Sequence, residues 1–306
     1  MSEALELNRI SQMHQLGGLS TPEHPLVSVI HNRDIKSVAS MQGVKVINNL
    51  YAIIFKSSTV CGSFSYGRNS YDHEEGTLVF TAPGQVMEFE SDSVADDEID
   101  PDGWTLVFHP DLFRSSDLSE KINKYSFFHY DSNEALHISD KERLAIEDLL
   151  EKNVHEYSQT PDRHSQNLIV SNIELFLDYC LRFYDRQFFS RTNLNGDVIS
   201  KFEAFLVNYY ETDQACDKGV PSVEYCAKKL NYSPNYFSDL LKKETRKTAL
   251  EQIHFFLIER AKNSLLNSSG AISGVAYSLG FEFPQRFSNF FKSKTGMSPK
   301  EYRNLN

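Results

Sequence analysis

The sequence predicts an α+β protein in two parts. An antiparallel β-barrel with an αα-hairpin comes first, then an all-α domain of two helix-turn-helix units joined by a long helix. Three observations carry this. Residues 43–110 hold short runs of β-branched and aromatic residues between Gly, Pro, Asn and Asp. From Ser139 the apolar spacing becomes helical. The segment Pro234–Thr245 recurs fifty residues later as Pro284–Thr295.

At 306 residues, with 40% apolar and 24% charged, the chain has room for two globular domains and a core in each. No run of about 18 apolar residues offers a membrane span. Met1–Leu16 is polar and acidic, unlike a secretory signal, so a cytoplasmic location is expected. The cysteines (Cys61, Cys180, Cys216, Cys226) form no CxxC pair, and reduced thiols fit better than a disulfide framework or a zinc module. Net charge is −11, but it is unevenly spread. From Val220 onward 13 Lys+Arg face 7 Asp+Glu, a balance of +6; the earlier residues hold 18 and 35, a balance of −17. The basic tail reads either as a domain that touches polyanions or as a solvated face.

In the acidic part, strands are predicted at Val44–Phe55, Gly62–Tyr66, Thr77–Thr81, Gln85–Phe89 and Trp104–Phe108. Gly76 is expected to supply a positive φ, and Pro83-Gly84 fits the centre of a type II turn. The stretch Glu75–Gln85 resembles the second half of a cupin motif, which implies a small barrel. Only His73 and Glu75 lie on that motif, and Val86-Met87 stands where a further histidine would be needed, so neither a metal nor another cofactor is expected. His109, His129 and His137 are scattered. A barrel without metal can still hold a small organic molecule at its mouth, and Tyr66, Arg68, Tyr71, His73 and Trp104 are the candidates to line it. The same aromatic residues could equally be core.

Ser139 and Glu142 form a capping box before a helix carrying Leu144, Leu149, Leu150 and Val154. Pro161-Asp162 interrupts. A second helix, Ser165–Phe189, carries Leu168, Ile169, Phe176, Tyr179, Cys180 and Phe183. The hairpin has more apolar surface than a small barrel covers; either a second copy of the chain meets the excess or both helices pack on their own barrel. Arg191–Asp197 is polar with a glycine and reads as a linker. The expected domains are 1–190 and 197–306, with 191–196 between them.

In the repeat, PNYFSDLLKKET and PQRFSNFFKSKT share five of twelve positions. Each copy follows a similar lead-in: Ala227-x-x-Leu230-Asn231-Tyr232, and Ala276-x-x-Leu279-Gly280-Phe281. Asn and Gly tolerate a left-handed turn, and Pro suits the first turn of the next helix, which describes a helix-turn-helix made twice. Helical spacing buries Phe237, Leu240 and Leu241 in one unit and Phe287, Phe290 and Phe291 in the other. The opposite faces carry Asn235, Ser238, Asp239 and Lys242, and Gln285, Ser288, Asn289 and Lys292. Such side chains read base edges and hold phosphates in a major groove. Between the units Ala249–Leu266 has no Pro or Gly and fits one helix of ~27 Å.

From Asp197 to Arg303 the chain resembles the DNA-binding domain of the AraC/XylS transcription regulators. The resemblance rests on Ile272-x-x-Val275-Ala276-x-x-Leu279-Gly280-Phe281, Phe287-Ser288-x-x-Phe291-Lys292 and Thr295-Gly296-Met297-Ser298-Pro299-x-x-Tyr302-Arg303. It implies base-reading positions at Asn235, Ser238 and Asp239, and at Gln285, Ser288 and Asn289. Lys242, Lys243, Arg286 and Lys292 would hold phosphates, and Tyr236 is counted with the first unit's interface. It further implies double-stranded DNA as partner, a homodimer, a small-molecule effector in the barrel and, for an activator, RNA polymerase. Two other readings stay open: a cupin enzyme with an appended DNA-binding domain, and a ligand-independent regulator whose barrel only dimerises. Two residues depart from the family. Arg246 stands near its usual glycine, where a positive φ would cost about 1 kcal/mol, so the first recognition helix is expected to end differently. Asp239 could accept from a cytosine amino group or pair with Lys243. The rigid connector predicts two boxes about one helical turn (~34 Å) apart.

Overall fold

The computed structural model describes residues 5–36, 45–57, 76–88, 100–131, 134–190, 192–267 and 270–304. The chain divides into two compact units, Met1–Gln187 and Phe188–Asn306. The expected strand Gly62–Tyr66 and the candidates Tyr66, Arg68, Tyr71 and His73 lie outside the described residues.

The first unit contains β1 (Leu5–Leu7), α1 (Ile10–Leu16), β2 (Val27–His31), β3 (Lys45–Asn48), β4 (Tyr51–Ser57), β5 (Gly76–Thr81), β6 (Gln85–Glu88) and β7 (Trp104–Phe108). After these come α2 (Leu118–Lys121), β8 (Leu136–His137), α3 (Asp140–Tyr157) and α4 (Ser165–Ser190), whose last three residues belong to the second unit. The described strands make two sheets, β1-β3-β6 and β2-β7-β4-β5-β8, rather than one closed barrel. Pairing is antiparallel except between β1 and β3, which are parallel. β1 and β2 fall before residue 43, where no strand was expected.

The single strand expected at Val44–Phe55 is two strands in different sheets. Asn48, fully buried, folds its side-chain amide onto Leu50: Oδ1 accepts from the Leu50 N–H at 3.1 Å and Nδ2 donates to the Leu50 carbonyl at 3.0 Å. This local pairing replaces the ladder and turns the chain a corner. The same corner is turned beside it by Pro83-Gly84, where Gly84 has φ +87° and the Gln85 N–H reaches the Ala82 carbonyl, as a type II turn requires. Gly76, by contrast, has no positive φ. Its smallness is needed because a Cβ would lie 2.3 Å from Cε2 of Phe55.

Ser139 and Glu142 complete the capping box of α3, and Arg186 on α4 donates to both oxygens of Glu142 at 2.7 and 2.9 Å. Ile146, Leu149 and Leu150 face the core, but Leu144 is 66% exposed, because it sits on the other side of the helix from Ile146. α4 packs on the larger sheet through Phe176, edge-on to Trp104, and through Tyr184 against Phe80. Trp104 is 2% exposed and stacked on Phe55 at 5.4 Å, so its ring is packed as core.

The second unit is all helical: α5 (Thr192–Glu211), α6 (Gln214–Lys218), α7 (Val223–Lys229), α8 (Pro234–Thr245), α9 (Ala249–Asn267), α10 (Ile272–Ser278), α11 (Pro284–Thr295) and α12 (Pro299–Arg303). The segment read as a linker is helical from Thr192, as the start of α5. One glycine does not stop a helix whose later turns bury Phe202, Leu206 and Tyr209. No helix among the described residues is long and apolar enough to cross a membrane.

Candidate nucleic-acid interface

Each helix-turn-helix is held by the same local chemistry. Asn231 and Gly280 take left-handed conformations, φ +62° and +86°. The next N–H, of Tyr232 or Phe281, donates back to Ala227 or Ala276 at 3.0 Å in both. α8 and α11 open at Pro234 and Pro284, where a missing N–H costs no helical bond. They also end alike. Arg246 and Gly296 are left-handed at φ +62° and +80°, and their N–H groups reach Lys242 and Lys292. The expected different ending at Arg246 is therefore absent: the chain carries the left-handed strain of an arginine. Hydrogen bonds flank it. The Thr245 hydroxyl donates to the Leu241 carbonyl at 2.7 Å and accepts from the Lys247 N–H at 3.2 Å, matched by Thr295 with Phe291 and Met297. Capping boxes Thr248–Glu251 and Ser298–Glu301 then start α9 and α12. These bonds and the adjoining lysines hold both carboxyls below their ordinary range.

The buried stripes form as the spacing requires, with one exception. Phe237, Leu240, Leu241, Phe287 and Phe291 are fully packed. Phe290 is only half-buried, edge-on to His254 of α9 at 5.0 Å. Burial, reinforced by Lys294, holds the His254 imidazole below its usual pKa.

The outward faces differ between the units. On α11, Gln285, Arg286, Asn289 and Lys292 are exposed and Ser288 is half-buried, its hydroxyl donating to the Pro284 carbonyl. Gln285 Nε2 lies 3.4 Å from Asn289 Oδ1, so the two amides stand side by side one helical turn apart. On α8, Asn235, Lys242 and Lys243 are exposed, whereas Ser238 and Asp239 are half-buried. Tyr236 is not on the open face: it is 4% exposed and stacked on Tyr232 at 5.7 Å, since a phenol ring beside an apolar turn packs inward. The equivalent position on α11 is the exposed Arg286. The second unit thus presents the wider polar face.

Sequence reasoning missed Phe283. It is 50% exposed at the N-cap of α11, with the Arg286 guanidinium 5.3 Å above its ring. The signal is present in the spacing: Tyr232-Ser233 precedes Pro234, but Phe281-Glu282-Phe283 precedes Pro284. Among the described residues no group of three or more His, Cys, Asp or Glu side chains could hold a metal ion.

Residues 226–305 match a family model described as a helix-turn-helix domain. An uncharacterised HTH-type transcriptional regulator of Bacillus subtilis (strain 168), YobQ, is 35% identical over 74 residues, 24% of this chain and 31% of that protein. Another from the same organism, YtdP, is 30% identical over 82 residues, 27% of this chain and 11% of that protein. The match therefore spans less than a third of either relative. Among solved structures, the C-terminal domain of the two-component response regulator yesN from Fusobacterium nucleatum is 25% identical. It covers 33% of this chain and 96% of its own, with a TM-score of 0.29.

Proposed function

We propose, from the helix-turn-helix domain that residues 226–305 match, that the chain is a sequence-specific DNA-binding transcription regulator of AraC type. The observation that carries this is the duplicated turn geometry with a polar, cationic face on each recognition helix. α9, at 19 residues, is ~28 Å long and without a break, which supports two boxes read about one helical turn apart on one side of the duplex. In the second unit Gln285 and Asn289 offer paired amides to adenine edges, while Arg286 and Lys292 hold phosphates. The half-burial of Asp239, where the second unit has the exposed Asn289, favours a first unit that positions more than it reads.

The first unit, in this reading, senses a small molecule and dimerises the chain, and the regulator acts as an activator with RNA polymerase as partner. Dimerisation has support on the α3–α4 face. Leu144, Leu168 and Leu175 are exposed there at 66, 49 and 46%. One end of the groove between the helices carries Lys141, Arg182 and Arg186 against Glu142, and the other Asp148, Glu151 and Glu156 against Lys152. Two copies related by a two-fold axis would set each basic end on an acidic one.

The test is selection of binding duplexes from a randomised library by the full chain, followed by titrations across a range of KCl concentrations. Each phosphate contact contributes about 0.9 to the slope of log K against log salt. Arg286→Ala and Lys292→Ala should each flatten the slope by about that amount and weaken all sequences alike. Gln285→Ala should instead change which base is preferred. An affinity independent of salt, or no enriched sequence, would reject the reading.

A further inference from the structure

We propose that Phe283 is a specificity residue of the second unit, its ring packing on the 5-methyl group of a thymine at the edge of that unit's box. The proposal rests on the DNA-binding reading above. Phe283 holds the N-cap position of α11, where α8 has Ser233. Ser233 is 3% exposed and its side chain accepts from the Tyr236 N–H at 3.3 Å; α11 has no side-chain cap. A phenylalanine there forgoes the cap and leaves half its surface in water. Neither helps the free protein, since serine is among the best N-caps.

Position gives the ring a use. Recognition helices present their N-terminal residues to base edges. Phe283 lies two residues before Gln285 at that end, and the extra residue in the turn carries it clear of the core. In the major groove the thymine 5-methyl is the principal apolar feature, and an apolar side chain is its usual partner. The contact would take ring and methyl out of water together. Arg286 covers one face of the ring, which leaves the other face and edge for the base and keeps the guanidinium beside the backbone.

The test uses the full chain and the duplex selected from a randomised library. Each thymine of the second box is replaced in turn by deoxyuridine, which removes the methyl and nothing else. One position at the edge of the box should weaken binding about four-fold, the equivalent of ~0.8 kcal/mol for one buried methyl. Phe283→Ser should bind the thymine and uracil duplexes equally at that position, and Phe283→Leu should keep most of the difference. Serine at this position can cap α11 as Ser233 caps α8, so loss of folding would not confuse the result. Indifference of the native protein to every replacement, or the same penalty in Phe283→Ser, would overturn the proposal and leave the DNA reading standing. Failure to select any duplex would overturn both. Were Phe283 instead the anchor for a protein partner, uracil would cost nothing in either protein.

Discussion

Two left-handed glycines separate backbone strain from steric contact. Gly296, at φ +80°, ends α11, and a Cβ built on it meets nothing within 4 Å. Gly296→Ala therefore carries only the left-handed cost of an L residue, about 1 kcal/mol. Gly280, at φ +86° in the second turn, would place a Cβ 2.6 Å from the Gly219 carbonyl carbon, 2.8 Å from the Val220 nitrogen and 3.0 Å from the Ala215 oxygen. These are backbone atoms and cannot swing aside. Overpacking adds roughly 1–3 kcal/mol to the same conformational cost, for a total of about 2–4 kcal/mol. For a unit of this size about 4 °C of melting temperature follows each kcal/mol. Gly296→Ala should thus melt about 4 °C early and Gly280→Ala about 8–16 °C early. In the DNA-binding reading the contact has a consequence, because it seats the turn of the second helix-turn-helix on the loop that leads into the first. Gly280→Ala should weaken binding to a two-box duplex out of proportion to a single box, whereas Gly296→Ala should weaken neither. Melting curves and gel-shift titrations of the full chain decide it. Equal shifts for the two variants would refute the reasoning.

Two further outcomes are expected. His254 is held below its ordinary pKa, so in the fold it is neutral where the unfolded chain would take a proton. The stability this provides is complete above about pH 6.5 and is lost as pH falls toward the lowered folded value. The second unit should melt earlier at pH 5.5 than at 7.5, with a smaller difference in His254→Phe; an unchanged difference would exclude His254 as the cause. On the α3–α4 face, Arg182→Glu or Glu151→Arg alone should weaken self-association roughly ten-fold, through two repulsive contacts per dimer. Mixing the two variants should restore it, as measured by sedimentation, and no gain on mixing would rule out the antiparallel pairing.

What the sequence made legible was local. The bounds of β7, the capping box at Ser139, the turns at Asn231 and Gly280 and the proline starts of α8 and α11 depend on residues within a few positions of one another. The misreadings arose where a distant neighbour decides. Asn48 looks like any strand residue until its amide is seen to replace the ladder at Leu50. Gly76 suggests a turn in sequence, yet it is small because Phe55 lies over it. Tyr236 occupies a helical angle that is open in the other unit, but the rings of Phe188 and Tyr232 pack against it at 5.1 and 5.7 Å and hold it inward. The ligand candidates Tyr66, Arg68, Tyr71 and His73 lie outside the described residues.

The two units agree where geometry is fixed and differ where bases would be met, and this bears on how the work of recognition divides. The back-bonds to Ala227 and Ala276, the threonine hydroxyls at 245 and 295 and the capping boxes that follow are the same in both. Even the left-handed C-cap is kept at Arg246, where it is strained. The strained residue lies between α8 and α9 and so helps to set the direction of one relative to the other. The first unit's open face, however, is narrower: Tyr236 is buried where Arg286 is exposed, and Ser233 is a buried cap where Phe283 reaches into solvent. A unit with the same frame and fewer open polar positions is suited to gripping the backbone, with Lys242 and Lys243 exposed to do so. In the DNA-binding reading proposed above, sequence choice would fall mainly to α11, which carries Phe283 at its N-cap and Gln285 and Asn289 on its open face.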